Sequence, residues 1–188
     1  MTFTADDYNK DWEAILTDPS STYNHAVTDW SPIYEWIAER AKGIVLDVGC
    51  GLGHLIERLH RSDKVLYSIG VDISEVAVKE AVRRNPDNMI YICDAENSDI
   101  INDGDYDTIV FNQILEHIEN DISLLSRIPK GRHVFISIPK EEVQEHPQHL
   151  RFISTVMEAV ERYDTELNIL EAEYVGMYDF ICIHGIKL

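Results

Sequence analysis

Positive charge is what this chain has least of: sixteen Lys and Arg stand against thirty-four Asp and Glu, a net charge of −18 over 188 residues. A field of that sign repels a polyphosphate backbone, so nucleic acid is disfavoured as a direct substrate and a neutral or cationic one is easier to accept. Cysteine is also scarce. Cys50, Cys93 and Cys182 are odd in number, widely spaced and set in apolar segments, which predicts reduced, buried thiols in a cytoplasmic protein. No apolar run reaches the length of about 18 residues that a spanning helix needs. No basic, apolar leader is present either, so neither a membrane span nor secretion is expected. Repeats and low-complexity tracts are absent. A hydrophobic content of 45% over 188 residues is enough for one domain with its own core.

Against these absences stands one dense stretch, Ile44-Val45-Leu46-Asp47-Val48-Gly49-Cys50-Gly51-Leu52-Gly53-His54. The apolar, largely β-branched run suits a strand buried on both faces of a parallel sheet. Glycines 49, 51 and 53 then form a turn that a ligand can approach closely. Leu52, Leu55, Ile56 and Leu59 follow at helical spacing, so a helix starts inside the turn. A second apolar run, Val65 to Val71, closes on Asp72, an acid placed to accept hydrogen bonds from two ribose hydroxyls.

Two cofactor classes use such an arrangement. A nicotinamide or flavin dinucleotide needs its pyrophosphate at the helix N-terminus through G-x-G-x-x-G, whereas this loop is G-x-G-x-G with Asp47 just before it. A fixed negative charge suits the α-ammonium group of S-adenosylmethionine better than it suits a pyrophosphate.

The segment Val45 to Gly53 resembles motif I of the class I S-adenosylmethionine-dependent methyltransferases, and other segments resemble further motifs in the family's order. Gly70-Val71-Asp72-Ile73-Ser74 resembles the ribose-binding segment, and Tyr91-Ile92-Cys93-Asp94-Ala95 the strand end whose acid meets the adenine amino group. Tyr106 to Ile118 resembles the fourth strand with the helix start after it, and His149 to Ser154 a late segment of the small-molecule, type 11/23-like branch. The resemblance implies S-adenosylmethionine as methyl donor, S-adenosylhomocysteine as product, and Asp47, Gly49, Cys50, Gly51, Gly53, Asp72, Ile73, Asp94, Ala95 and Asn112 as cofactor-binding residues. Each acid has a plainer reading beside that one. Asp47 could cap a turn, Asp72 could sit at the N-cap side of the next helix, and Asp94 could open an Asx turn.

The periodicities predict strands near 44–48, 65–72, 89–94, 106–111 and 133–138, helices near 52–61, 74–84, 113–127 and 153–163, and a closing pair of strands over 167–174 and 178–186. Strand–helix alternation of this kind implies an α/β fold. With the resemblance it becomes a Rossmann-like, seven-stranded, mostly parallel sheet with one antiparallel edge strand and helices on both faces. Residues 43–188 are expected to be the cofactor-binding core of a single domain, and residues 1–42, rich in Tyr and Trp, an N-terminal helical lid. Tyr8 and Trp12 lie one helical turn apart and would cover the site from residues 3–30.

The reaction implied is in-line displacement of a methyl group onto O or N of a small-molecule acceptor. A base is needed where the nucleophile must lose a proton. The candidates are His117, His146 and His149, with Glu116 beside them, and His117 and His149 are put first. His146 and His149 have a metal-like spacing but no partner ligand at diagnostic distance, so no metal is expected. Glu141, Glu142 and Glu145 make the same loop acidic. Two departures limit the reading: the fourth strand lacks the Asn/Asp-Pro-Pro-aromatic signature of enzymes that methylate base amino groups, and Glu161-Arg162-Tyr163-Asp164 replaces a small-residue turn. The alternatives are a protein methyltransferase, a non-catalytic cofactor-binding partner of another subunit, and a nucleotide-dependent oxidoreductase. With no inserted cap domain in the sequence, either the substrate is small or a second chain, in a homodimer or from a partner protein, completes the pocket.

Overall fold

The computed structural model describes residues 4–18, 29–140, 150–151, 153–177 and 180–188. Five parallel strands form first: β1 (Gly43–Val48), β2 (Val65–Asp72), β3 (Met89–Ile92), β4 (Thr108–Asn112) and β5 (His133–Ile138). The closing pair, β6 (Leu167–Val175) and β7 (Phe180–Lys187), completes a seven-stranded sheet in the order β3-β2-β1-β4-β5-β7-β6. The antiparallel strand at this edge is β7, which runs between β5 and the outermost strand β6. The order reverses between β1 and β4, and the crevice outside the strand ends at such a switch point is where open α/β sheets bind ligands.

Strand alternation sends Val45, Val110, Phe135 and Cys182 to one face and Leu46, Val48, Ile109, Phe111, Val134 and Ile136 to the other. On the first face lie α2 (Ser31–Ala38), α3 (His54–Leu59) and α4 (Glu75–Arg84); on the second lie α5 (Ile100–Asp103), α6 (Asp121–Ser126) and α7 (Val156–Tyr163). Within residues 1–42, α1 (Ala5–Thr17) and α2 have different roles. No residue of α1 is buried, whereas Ile33, Trp36 and Ile37 of α2 are core residues. Glu173 of β6 accepts the Trp36 indole N–H at 2.7 Å, and Arg40 bonds Glu171 at 2.6 Å, so α2 is pinned to the sheet edge. Pro32 stands in the first turn of α2, where its missing N–H costs nothing.

One expected helix does not form. In place of a helix over 113–127 there is a 3-10 turn, Leu115–His117, then extended backbone at Ile118, then α6. The cause lies in what bounds the segment. Gln113 leaves β4 in the left-handed region at φ +58°, and Asp121 is drawn to α7, where Arg162 donates to it at 2.6 and 2.9 Å and the Tyr163 hydroxyl at 3.1 Å. Arg151 lies 3.4 Å from the same carboxylate and donates to the Leu115 and Glu119 carbonyls. The residues that replace the small-residue turn thus act as a clamp. No helix among the described residues is long and apolar enough to cross a membrane.

Candidate active site

Asp47 ends the alternation of β1 on the face of α2 and α3, and its side chain is 1% exposed. Neither of its oxygens meets a donor among the described residues. Burial, with the charge of Asp72 adding to it, pushes its carboxyl up to about 7. An unpartnered buried carboxyl costs roughly 1–3 kcal/mol, more when ionised, and is retained where a function repays it. Turn-capping does not explain this residue.

Asp72, at the end of β2, is also buried but is engaged. It accepts the Gly51 N–H at 2.9 Å and the Ser74 N–H at 2.8 Å. Burial raises its carboxyl, and the backbone donors of Ser74, Gly51 and Ile73 oppose that rise. It therefore ties the glycine loop to the start of α4, which combines the capping role with the position expected for ribose. Ile73 beside it is half-buried. Asp94 does make the Asx turn: it accepts from the Glu96 and Asn97 N–H groups at 3.0 and 3.3 Å, and from the Asn97 amide at 2.8 Å. Ala95 lies in that turn, and its carbonyl accepts from Arg127 at 3.3 Å.

The loop itself is held from below and covered from above. Gly49 and Cys50 donate to the Val71 carbonyl at 2.7 and 3.0 Å, and the Cys50 thiol is kept protonated by burial and by Asp47 and Asp72. Gly49, Gly51 and Gly53 all have positive φ, at +72°, +51° and +78°. A Cβ on Gly51 would stand 3.1 Å from two ring atoms of Trp12, and one on Gly53 would stand 2.5 Å from the Asn85 amide nitrogen and 3.1 Å from Ala81. Gly51 thus permits close cover by α1, while Gly53 permits close packing by α4. The Asn9 side chain of α1 accepts from the Ser74 hydroxyl at 2.7 Å and the Val76 N–H at 3.3 Å, seating α1 across the strand ends.

Asn112 closes the rim at the end of β4, where its amide oxygen accepts the Ser137 hydroxyl at 2.6 Å. Gln113 donates through its backbone N–H to the Ser137 carbonyl at 2.9 Å and through its side chain to the Ser137 hydroxyl at 3.0 Å. These bonds hold a non-glycine residue in a left-handed conformation, a kind of strain that recurs at functional sites. Sequence reasoning missed Gln113. The one available signal was Ser137, a lone polar residue inside an apolar strand. His117 ends the 3-10 turn, and its ring meets that of Tyr8 edge to face at 6.3 Å. His149, His146 and the acids 141, 142 and 145 lie outside the described residues.

Glu116, which the sequence placed only as a neighbour of the histidines, is 2% exposed, and neither carboxyl oxygen meets a donor among the described residues. Burial pushes it up to about 8, against the lowering by its own N–H and by Arg151. Tyr8 lies between the two sides of the rim. Its phenol is raised to about 12 by burial and then by the charges of Asp72, Glu116, Glu96 and Asp11. No group of three or more His, Cys, Asp and Glu able to hold a metal occurs among the described residues.

A seven-stranded sheet of this order, with a glycine loop after β1 and acids at the ends of β1 and β2, defines a class I methyltransferase architecture. A family model described as a methyltransferase domain matches residues 23–170, and the chain belongs to that family. It is an S-adenosylmethionine-dependent methyltransferase. No curated protein matches its sequence. Similar solved structures include the Haloferax volcanii methyltransferase in complex with the Trm112 methyltransferase activator, at 14% identity and TM-score 0.77 over 94% of this chain and 97% of that one. Another is the N-methyltransferase NodS of Bradyrhizobium japonicum WM9 with S-adenosyl-L-homocysteine, at 14% identity and TM-score 0.70 over 95% and 97%. A third is the magnesium protoporphyrin IX methyltransferase of Synechocystis PCC 6803 with bound S-adenosylmethionine, at 19% identity and TM-score 0.65 over 98% and 95%. At these identities the likeness is one of fold.

Proposed function

We propose that this single-domain chain, acting in the cytoplasm, transfers the methyl group of S-adenosylmethionine to O or N of a small-molecule acceptor. The observation that carries the reading is Asp47, a carboxyl buried at the carboxyl end of β1 without a donor among the described residues. The cofactor's ammonium group is the partner it lacks. Gly49, Cys50, Gly51 and Gly53 would cradle the cofactor, Asp72 and Ile73 its ribose and adenine, Asp94 and Ala95 the adenine edge, and Asn112 the amino-acid end. When bound, the cofactor supplies a methyl already activated by a sulfonium, so the protein's task is alignment and exclusion of water. Helix α1 serves the second task through Trp12 over Gly51 and Asn9 on Ser74. Where the acceptor must lose a proton, His117, beneath Tyr8, takes it, with His149 as the other candidate. The three unpaired cysteines suit a reducing compartment.

Titration calorimetry with S-adenosylhomocysteine tests the cofactor site, and labelled S-adenosylmethionine with metabolite pools tests transfer. Asp72→Ala should weaken binding by about 1.5–3 kcal/mol, the worth of charge-assisted hydrogen bonds. It should also lower the melting temperature, because the Gly51 and Ser74 N–H groups lose their acceptor. Unchanged affinity would sink the ribose assignment.

A second reading adds an activator subunit. Strand β3 is an unpaired sheet edge, and Tyr67, Met89, Tyr91 and Ile92 around it are all more than 40% exposed. A strand added there would cover both the edge and the patch. Co-expression with a Trm112-type activator from the same organism should give co-elution, lost in a Met89→Lys/Tyr91→Lys double variant. Separate elution of the two wild-type proteins would exclude this mode.

A further inference from the structure

Among the described residues two carboxyls are buried without a donor, Asp47 near the end of β1 and Glu116 in the 3-10 turn after β4. The proposed cofactor site gives Asp47 a cation. Glu116 is left over. The cation whose charge it feels among the described residues is Arg151, and that guanidinium is already engaged with the Leu115 and Glu119 carbonyls and the Asp121 carboxylate. No described residue therefore supplies this carboxyl with a partner.

Its surroundings say what sign that partner has. Glu116 sits in the 3-10 turn after β4, next to His117, whose ring meets that of Tyr8 on α1 edge to face, and its charge with that of Asp72 raises the Tyr8 phenol. Glu96, just past β3, lies within electrostatic reach of Asp94 and Glu119, and its carboxyl is raised by burial and then by those two charges. Asp11 of α1, Glu96 after β3, Asp72 and Glu116 thus all act on the Tyr8 phenol with the same sign. A rim of one sign focuses the field and concentrates the opposite charge at the mouth.

We propose that Glu116 is the acceptor-binding carboxylate, and that the acceptor is a small molecule carrying a positively charged nitrogen that pairs with it. This rests on the methyltransferase reading of the site and narrows its substrate class. An amine or guanidine group repays the desolvation of Glu116 by a charge-assisted hydrogen bond, and an alcohol of the same shape does not. Such a site discriminates steeply, because a ligand without the cation leaves the carboxyl unpaired. Glu116 is here a specificity-determining residue, and His117 beside it remains the group nearest to a transferable proton.

The test is thermal shift of the full chain with and without saturating S-adenosylhomocysteine, using phenethylamine and agmatine against phenethyl alcohol as probes. Wild-type protein should be stabilised by the amines at least tenfold more tightly than by the alcohol. The isosteric Glu116→Gln variant should lose that preference while keeping its S-adenosylhomocysteine shift. Equal response to amine and alcohol in the wild-type protein overturns the proposal, and needs no variant. So does an amine preference that survives in Glu116→Gln, or a Glu116-dependent shift with Mn²⁺ in place of the amines. Failure of S-adenosylhomocysteine to shift the wild-type protein would instead strike the cofactor reading, so the two failures are distinct.

Discussion

Replacing Asp121 with alanine is expected to lower the unfolding free energy by about 3–5 kcal/mol, the range for breaking a buried ion pair from one side. For a chain of this size that is a fall in melting temperature of roughly 6–20 °C. The size follows from what the carboxylate does. At 1% exposure it accepts two bonds from Arg162 and one from the Tyr163 hydroxyl, and it faces Arg151 at 3.4 Å. Removing it leaves the buried phenol without its acceptor and two guanidiniums facing each other. The Arg162 head is partly in water and can turn outward, which favours the lower half of the range. Because Arg151 also holds the Leu115 and Glu119 carbonyls, the turn carrying Glu116 and His117 should loosen with it. Denaturant unfolding checks the energy, and a loss below about 1 kcal/mol would mean that the clamp is not a structural bond.

Asp47→Asn is expected to push stability and affinity in opposite directions. In the free protein the carboxyl is buried, unpartnered and raised from 3.8 to about 7. The folded chain therefore holds a proton between pH 4 and pH 7 that the unfolded chain has released, so this group lowers stability as pH rises through that window. Above pH 7 the loss is complete. Asparagine does not titrate, so the variant should gain on the wild type from pH 4 to 7 and keep a constant advantage above it, on the order of a few kcal/mol at most. Glu116, raised to about 8, adds a fall of the same sign in both proteins. Affinity for S-adenosylhomocysteine should drop by about 2–5 kcal/mol, the cost of truncating one side of a buried charge pair. Melting curves across pH, set beside calorimetry at pH 8, read both effects. A variant that loses stability and affinity together would show that Asp47 is structural.

Much of this site was legible because it is local. A β-branched run must be a strand, glycines at alternate positions must be a turn, and an acid closing a strand in a parallel sheet must reach the same rim as its neighbours. The places of Asp47, Asp72, Asp94 and Asn112 at or just past the ends of neighbouring strands follow from that rule alone, since parallel strands all end on one side. The helix expected over 113–127 failed for a reason that no local pattern carries: the left-handed backbone of Gln113 is held by Ser137, twenty-four residues away. Asp94 read equally well as a ligand or an Asx turn, and its three short-range bonds decided the local geometry.

What the sequence determined by itself is the order of the strands, the glycine loop and the class of methyl donor, because each rests on short runs of neighbouring residues. The tertiary structure alone decided which acids are satisfied. Asp72 found backbone donors in Gly51 and Ser74, Asp121 found Arg162 and Tyr163, and Asp47 and Glu116 found none among the described residues. Four carboxylates of like composition have different chemistry because desolvation and partners come from distant segments, and only folding brings those together.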